Sequence, residues 1–340
     1  MTEIIKMTGE PDFDSLNCAA KALADGALVA IPTETVYGLG ANAFIPEAVD
    51  EIFKVKGRPQ DNPLIVHIDN LDMLPSVVSE VPDKAVSAME KFWPGPLTLI
   101  MKKNPELPSN VTAGLDTVAV RMPSHKIARF FITLAGVPVV APSANLSGRP
   151  SPTRAEHVSE DFNGKIPYII DGGASAIGLE STVLDLTADV PTILRPGGVS
   201  FEELKAVFGD VRYDEGLIKD SVKPKSPGMK YKHYAPKAEM FIFEGESAAE
   251  RIKEELSKLK AENKKTGVIA MSDKDYKADH IIRLSSDAAS YAAGMFDALR
   301  QFDASGVDVI LAETFKETDG LKAAIKNRIY KSAGGKVILC

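Results

Sequence analysis

Short runs of β-branched and apolar residues recur down the chain, and the intervals between them are filled by stretches with helical spacing. ALVAIP (27–32), LIVHI (64–68), LTLIM (97–101), TVAVRMP (117–123) and VPVVAP (137–142) are the clearest runs of the first half. Each is far shorter than the ~20 apolar residues that a membrane helix needs. Apolar side chains occupy mostly successive positions in them, so both faces of the resulting sheet are covered, and helices cover them. Helices are expected over 12–25 (capped by Asp12 or Asp14 and stopped by Gly26), from Pro46 to Lys56, near 124–135, over 153–161 and over 200–208. Several connections are too short for helical crossovers, which makes some neighbouring strands antiparallel. The expected fold is α/β with a mixed, twisted sheet.

The pattern breaks between 209 and 238. GDVRYDEGLIKDSVKPKSPGMKYKHYAPKA is rich in Pro, Lys and Tyr and has no helical period. Beyond it, strands MFIFE (240–244), TGVIAM (266–271), 279–284 and VDVILAE (307–313) alternate with helices over 247–262, 287–304 and 319–331. That alternation describes a smaller, doubly wound, Rossmann-like domain. The 340 residues divide into a first domain over 1–210, a linker over 211–238 and a C-terminal α/β domain over 239–340. The linker is not a passive spacer. Gly/Ser spacers lack side chains that grip anything, whereas this one carries Tyr231, His233 and Tyr234.

A net charge of −7 argues against a surface that wraps nucleic acid. The two cysteines, Cys18 and Cys340, support neither a disulfide framework nor a Cys-based metal site, and fit free thiols in a reducing cytoplasm. The N-terminus lacks the basic-then-apolar order of a signal peptide, and the chain reads as cytoplasmic. No Walker A, HExxH, GxSxG or Cys/His zinc pattern is present, and the histidines His67, His125, His157, His233 and His280 are scattered. GLGANA (38–43) matches GxGxxA formally. TETVY separates it from the preceding strand and Pro46 delays the following helix, so its glycines read as turn residues within a loop, TETVYGLGANAF.

Four segments carry polar chemistry at strand or turn margins. In KVKGRPQDNPLIVHI (54–68), Lys56 and Arg58 flank Gly57, which follows the end of a helix, and Pro59 stiffens the turn. Two fixed cations there can hold a polyanion, Lys as a point charge and Arg as a fork; cations that merely complement a helix C-terminus are the plainer alternative. In APSANLSG (141–148), Ser143, Asn145 and Ser147 follow a buried strand, the position where open α/β sheets gather ligands. In PTETVYGLG (32–40), Thr33, Thr35 and Tyr37 fall on one side if the segment is extended. In GLESTVLDL (178–186) and TILRPGG (192–198), Ser181 opens a strand and Arg195 closes the next, while Arg121 closes TVAVR.

PTETVYGL, KVKGRPQDNPL, FWPGPLT, VAVRMP, APSANLSG, ESTVLDL and LRPGG occur in this order. In that combination the chain resembles the L-threonylcarbamoyladenylate synthases, enzymes with a YrdC-like domain. The resemblance covers ~200 N-terminal residues, one domain's worth; SPGMKYKHYAPK and the C-terminal domain resemble the longer, two-domain branch by layout and length. The resemblance implies that L-threonine, bicarbonate or carbon dioxide, and ATP give threonylcarbamoyl-AMP and pyrophosphate. Separate machinery then transfers the threonylcarbamoyl group to an adenosine beside the anticodon of tRNA. It further implies that Lys56 and Arg58 hold ATP phosphates, that Ser143, Asn145 and the Ala141 backbone bind nucleotide, and that His67 and Arg195 line the nucleotide side. Thr33, Thr35 and Tyr37 surround threonine and the reacting centre, and Arg121 meets the amino-acid carboxylate with Ser181 nearby. Mg²⁺ rides on the triphosphate oxygens, with no protein metal site. Tyr231, His233 and Tyr234 belong to a linker that covers the pocket.

Elementary chemistry agrees with that expectation. A carbamate attacking the α-phosphorus of ATP brings two anions together, which calls for positioning and charge stabilisation more than for a protein nucleophile. A carbamate loses carbon dioxide in open water, so excluding solvent helps. The rival reading is an RNA-binding module without catalysis; the acidic charge and the lack of interleaved aromatic residues oppose it, as they oppose direct tRNA binding. A carbamoyl-transfer enzyme of the hydrogenase-maturation type would carry zinc-finger-like cysteine patterns, which this chain lacks.

Overall fold

Eleven strands build the first sheet: β1 (Glu3–Lys6), β2 (Val29–Ile31), β3 (Gly38–Asn42), β4 (Ile65–His67), β5 (Leu97–Lys102), β6 (Thr117–Arg121), β7 (Val139–Val140), β8 (Tyr168–Asp171), β9 (Thr182–Asp185), β10 (Thr192–Arg195) and β11 (Arg212–Tyr213). The computed structural model describes residues 1–7, 9–218 and 233–340. Among these, 1–147 and 151–218 form a first unit, and 148–150 with 233–340 a second. In the first, the order is β1-β8-β2-β3-β7-β4-β6-β5-β9-β10-β11. The β1–β8, β2–β8, β4–β6, β5–β9 and β10–β11 pairs are parallel. The β2–β3, β3–β7, β4–β7, β5–β6 and β9–β10 pairs are antiparallel. This is the mixed sheet expected from the short connections.

The pleat sorts side chains to two faces. Ala30, Val66, Leu99, Val120, Val140 and Leu184 join one large apolar cluster with Ile52, Phe53 and Ala88. Their strand neighbours Val29, Ile31, Val139 and Ile170 point the other way, onto Leu16 and Leu23 of the helix Phe13–Ala24 and Phe131 of the helix Lys126–Ala135. Further along that reverse face a small cluster takes over: Ile65, Ile100, Ala119, Val183 and Leu194. By the same alternation, His67, Thr98 and Arg121 belong to this sparsely packed face, where polar chemistry has room.

The stretch expected to be a loop, TETVYGLGANAF, contains β3. Its glycines are strand residues required by close approach. A Cβ on Gly38 would lie 3.0 Å from the Ala141 Cβ, and one on Gly40 would lie 3.0 Å from both Val139 Cγ1 and the Val29 carbonyl oxygen. The helix Pro46–Lys56 matches its expected limits; Pro46 opens it, and Gly57 closes it in the left-handed region at φ 61°.

In the second unit, β12 (Glu239–Glu244), β13 (Thr266–Ala270), β14 (His280–Arg283), β15 (Val309–Thr314) and β16 (Val337–Leu339) pair in the order β14-β13-β15-β12-β16. All four pairings are parallel. The chain runs outward from β12 to β14 and returns through β15 to β16, a doubly wound course. At the carboxyl ends of β13 and β15, the buried Glu313 carboxylate accepts the Met271 and Ser272 amides, the Ser272 hydroxyl and the Tyr276 hydroxyl. The stretch read as a linker is folded at both ends. β11 pairs with β10 and the helix Glu215–Ile218 follows, while Tyr234 is buried beside Phe296, ring centroids 5.2 Å apart. Among the described residues no helix is long and apolar enough to cross a membrane.

Candidate active site

Two of the motif loops are joined by one lysine. Lys56, in the last turn of the helix Pro46–Lys56, is 2% exposed. Its Nζ donates to the Ser143 carbonyl at 2.6 Å and the Asn145 carbonyl at 2.5 Å, and the Lys56 carbonyl accepts the Ser147 amide at 2.9 Å. The lysine therefore sets the course of SANLSG. Arg58 turns back over its own loop, with Nη2 3.4 Å from the Asn62 carbonyl and 3.5 Å from that of Pro63. Ser143 bridges Gly38, and the Ala144 amide donates to the Tyr37 carbonyl at 2.8 Å, which seats this loop against PTETVYG. The Ala141 amide is committed to the Ile65 carbonyl.

The segment holding Thr33 and Thr35 is a tight turn, not the extended strand that placed three hydroxyls on one side. The Thr33 Oγ1 accepts the Thr35 and Val36 amides at 3.2 Å each and donates to the Val36 carbonyl at 2.6 Å. Thr35 Oγ1 lies 2.8 Å from Thr33 Oγ1 and accepts Arg121 Nη1 at 2.8 Å. With the Thr33 proton committed to Val36, the Thr35 hydroxyl must donate to Thr33, so the relay runs from Arg121 through Thr35 to Thr33. Tyr37 leaves this group: its hydroxyl donates to the Gly173 carbonyl at 2.6 Å and accepts the Gly172 amide at 3.1 Å. Burial pushes its phenol pKa up, and the nearby Asp171 charge adds to the effect.

Arg121 is the hub. Its Nε donates to the Gly95 carbonyl at 3.2 Å, and its Nη2 meets Glu34 Oε1 at 2.7 Å; both side chains are buried. Burial opposes the Glu34 charge, but Arg121 beside it holds the carboxyl below its ordinary pKa. His67 stands opposite Arg121 in the β4–β6 register. Burial first and the Arg121 charge second lower its pKa to about 3, so its imidazole is neutral. His67 thus shares the Arg121 neighbourhood, which the resemblance assigned to the amino acid, as well as lining the sheet toward β7.

The third group lies where β9 begins and β10 ends. Arg195 Nε donates to the Ser181 carbonyl and Nη2 to the Ser181 hydroxyl, each at 3.1 Å, and Ser181 Oγ is 2.7 Å from Thr98 Oγ1. The approach requires glycine at 197, where a Cβ would fall 2.3 Å from the Ser181 backbone. Pro96 links this group to the hub: its carbonyl accepts the Thr182 amide at 3.0 Å, next to the Gly95 carbonyl that holds Arg121. Glu34 and Thr98 were not singled out from the sequence; a strict two-residue alternation directs Glu34 away from its threonine neighbours, and nothing local marks Thr98. Tyr231 lies outside the described residues. Tyr234 is packed within the second unit, where the Arg328 guanidinium lies 5.7 Å from its ring centroid, and His233 lies beside it.

Residues 21–197 match a family model described as telomere recombination, which groups Sua5, YciO and YrdC, and residues 199–334 match the threonylcarbamoyl-AMP synthase C-terminal domain. The chain is 49% identical to the threonylcarbamoyl-AMP synthase of Pyrococcus abyssi over 99% of both chains. It is also 49% identical to that of Bacillus subtilis, covering 94% of this chain and 93% of the relative. It belongs to the threonylcarbamoyl-AMP synthase family. The crystal structure of P. abyssi Sua5 complexed with L-threonine superposes with a TM-score of 0.96 at 48% identity, covering 100% of both chains. Membership in the two-domain form makes the chain an enzyme and sets aside the reading of an RNA-binding module without catalysis. The hub, the lysine-held loop and the Arg195–Ser181 pair all fall within or at the edge of the first matched region.

Proposed function

We propose that this enzyme forms threonylcarbamoyl-AMP and pyrophosphate from L-threonine, bicarbonate or carbon dioxide, and ATP, with the amino acid against Arg121 and the triphosphate against Lys56 and Arg58. The observation that carries the assignment is the Gly38–Ser143 bridge, which seats the loop held by Lys56 directly on the segment that leads from the Thr33–Arg121 relay. Ser143 and Asn145 bind the nucleotide, Arg195 steadies Ser181 and Thr98, and Thr35 keeps one acceptor lone pair for the amino acid. Carbamate and α-phosphate are both anions, and the fixed cations lower their mutual repulsion without reorganising during the reaction.

Among the described residues no group of three or more His, Cys, Asp or Glu side chains forms a metal cage. Side chains that donate or carry positive charge dominate the site, which fits Mg²⁺ arriving on triphosphate oxygens, where it would neutralise charge on the leaving pyrophosphate. The product passes in the cytoplasm to separate tRNA threonylcarbamoyl-transfer machinery. The linker serves the reaction through Tyr231 and His233, by keeping water from the carbamate; Tyr234 instead packs within the second unit. Mass spectrometry of products made with labelled bicarbonate tests the proposal. Label in threonylcarbamoyl-AMP is expected only with threonine and ATP both present; pyrophosphate release from ATP alone would overturn it.

A further inference from the structure

Glu34 stands between Thr33 and Thr35 and is 7% exposed. One carboxylate oxygen, Oε1, is held by Arg121. The other, Oε2, is buried and makes no hydrogen bond of good geometry, although the backbone N–H groups of Ser124 and Glu34 lie near the carboxylate. Protonation does not relieve it, because the adjacent guanidinium keeps the group ionised. His67 Nδ1, beside the same arginine, is likewise buried without a partner. Buried polar atoms ordinarily have partners, so two orphans around one arginine mark a wall shaped for a ligand.

Donor counting sets the chemistry of that ligand. Arg121 has five N–H groups and uses three, on Gly95, Thr35 and Glu34, which leaves two for an anion. The Thr35 and Val36 amides, each at 3.2 Å, and the Thr35 hydroxyl already crowd the two lone pairs of Thr33 Oγ1, so it has nothing left to offer. Thr35 keeps one lone pair, and Glu34 Oε2 has room to accept. The wall therefore presents two donors on one side and charged acceptors beside them. An α-amino acid, with carboxylate and ammonium on one carbon, satisfies both sets and leaves the buried ion pair balanced.

We propose that Glu34 recognises the α-amino group of the amino-acid substrate: its Oε2 accepts an N–H of that group while Arg121 holds the carboxylate. This rests on the reading that the amino acid lies against Arg121. It makes Glu34 the residue that distinguishes threonine from the same skeleton without nitrogen.

Calorimetric titration of the full chain with L-threonine and with 3-hydroxybutanoate of matching configuration, which lacks the nitrogen, tests this. Wild type should prefer threonine by at least about tenfold, as a charge-assisted hydrogen bond warrants. In Glu34→Gln the preference should fall to about threefold or less, with 3-hydroxybutanoate binding retained. Equal weakening of both ligands, with the preference intact, would overturn the proposal and leave Glu34 as a support for Arg121. If Glu34→Gln is not recovered folded, Glu34→Asp withdraws the carboxylate by one methylene; an undiminished preference there would also overturn it. Arg121→Lys reads the underlying placement separately. It should weaken both ligands together, and a variant that binds both as wild type would refute that placement whatever Glu34 does.

Discussion

Removing Lys56 should damage stability and chemistry by separable amounts. The ammonium makes two short bonds, 2.6 and 2.5 Å, to the carbonyls of Ser143 and Asn145 from a position 2% exposed. Hydrogen bonds to a charged group contribute about 1.5–3 kcal/mol each, which puts the upper limit for the pair at about 3–6 kcal/mol. Desolvation of the buried ammonium offsets part of this, leaving a cost of roughly 2–4 kcal/mol for Lys56→Ala. In a unit of this size each kcal/mol lowers Tm by about 2–4 °C, so a fall of roughly 5–15 °C is expected by calorimetry. Activity should fall further at a temperature where the variant is still folded. Loss of one charge partner for a transferring phosphoryl group, together with release of the Ser143–Asn145 loop, should lower kcat/KM for ATP by at least about 100-fold. Pyrophosphate release, followed with ATP varied and threonine and bicarbonate saturating, measures it; the threonine KM should move by less than about threefold. Lys56→Met keeps the packed stem and should recover part of the Tm but none of the rate. Wild-type kcat/KM for ATP in a folded Lys56→Met protein would refute the phosphate role and leave Lys56 as a staple for the loop.

Truncation must respect β11, so a chain ending at Ile218 should keep the first unit folded by circular dichroism while its rate of threonylcarbamoyl-AMP formation drops at least about tenfold; full activity would exclude a contribution from the linker and second unit. His67 supplies a pH signature. Its pKa falls from 6.5 to about 3 on folding, so the unfolded chain binds more protons between those values and stability declines as pH is lowered through that window. His67→Asn should flatten the fall of Tm between pH 6.5 and about 4, and an unchanged slope would show that the imidazole is not buried neutral.

The parts of this site that were legible in the sequence are those set by neighbours along the chain. Lys56 and Arg58 flank a glycine that must take a left-handed φ after a proline-opened helix, and SANLSG comes just past the end of a buried strand, after Ala141 and Pro142; both are local signals. The glycine-rich β3 was not legible, because glycine is a poor strand former, and only the approach of Val139, Val29 and Ala141 demands it. Glu34 escaped for a related reason. Alternation assumes extended backbone, and the Thr33 hydroxyl folds the segment into a turn that brings Glu34 back beside its threonine neighbours. The Arg195–Ser181 contact depends on Gly197 meeting backbone 16 positions earlier, a separation that no window of sequence spans.

Three cations of the site, Lys56, Arg121 and Arg195, are already fastened to the protein. Lys56 is held by two carbonyls, Arg121 by a carboxylate, a hydroxyl and a carbonyl, and Arg195 by both oxygens of Ser181. Loose cations would attract two anionic reagents as well, but they would have to shed water and reorient as charge moved between carbamate and α-phosphate. On the proposed placement of the reagents, fastened ones would confront the transition state with their dipoles and charges in place, where reorganisation costs least. The arrangement has a consequence for substitution. A Lys-to-Arg or Arg-to-Lys exchange at 56, 121 or 195 preserves the charge but breaks the fastening, because a fork and a point charge need different acceptors. Charge alone is therefore insufficient at these three positions, and the carbonyl and hydroxyl acceptors around them are as much a part of the site as the cations.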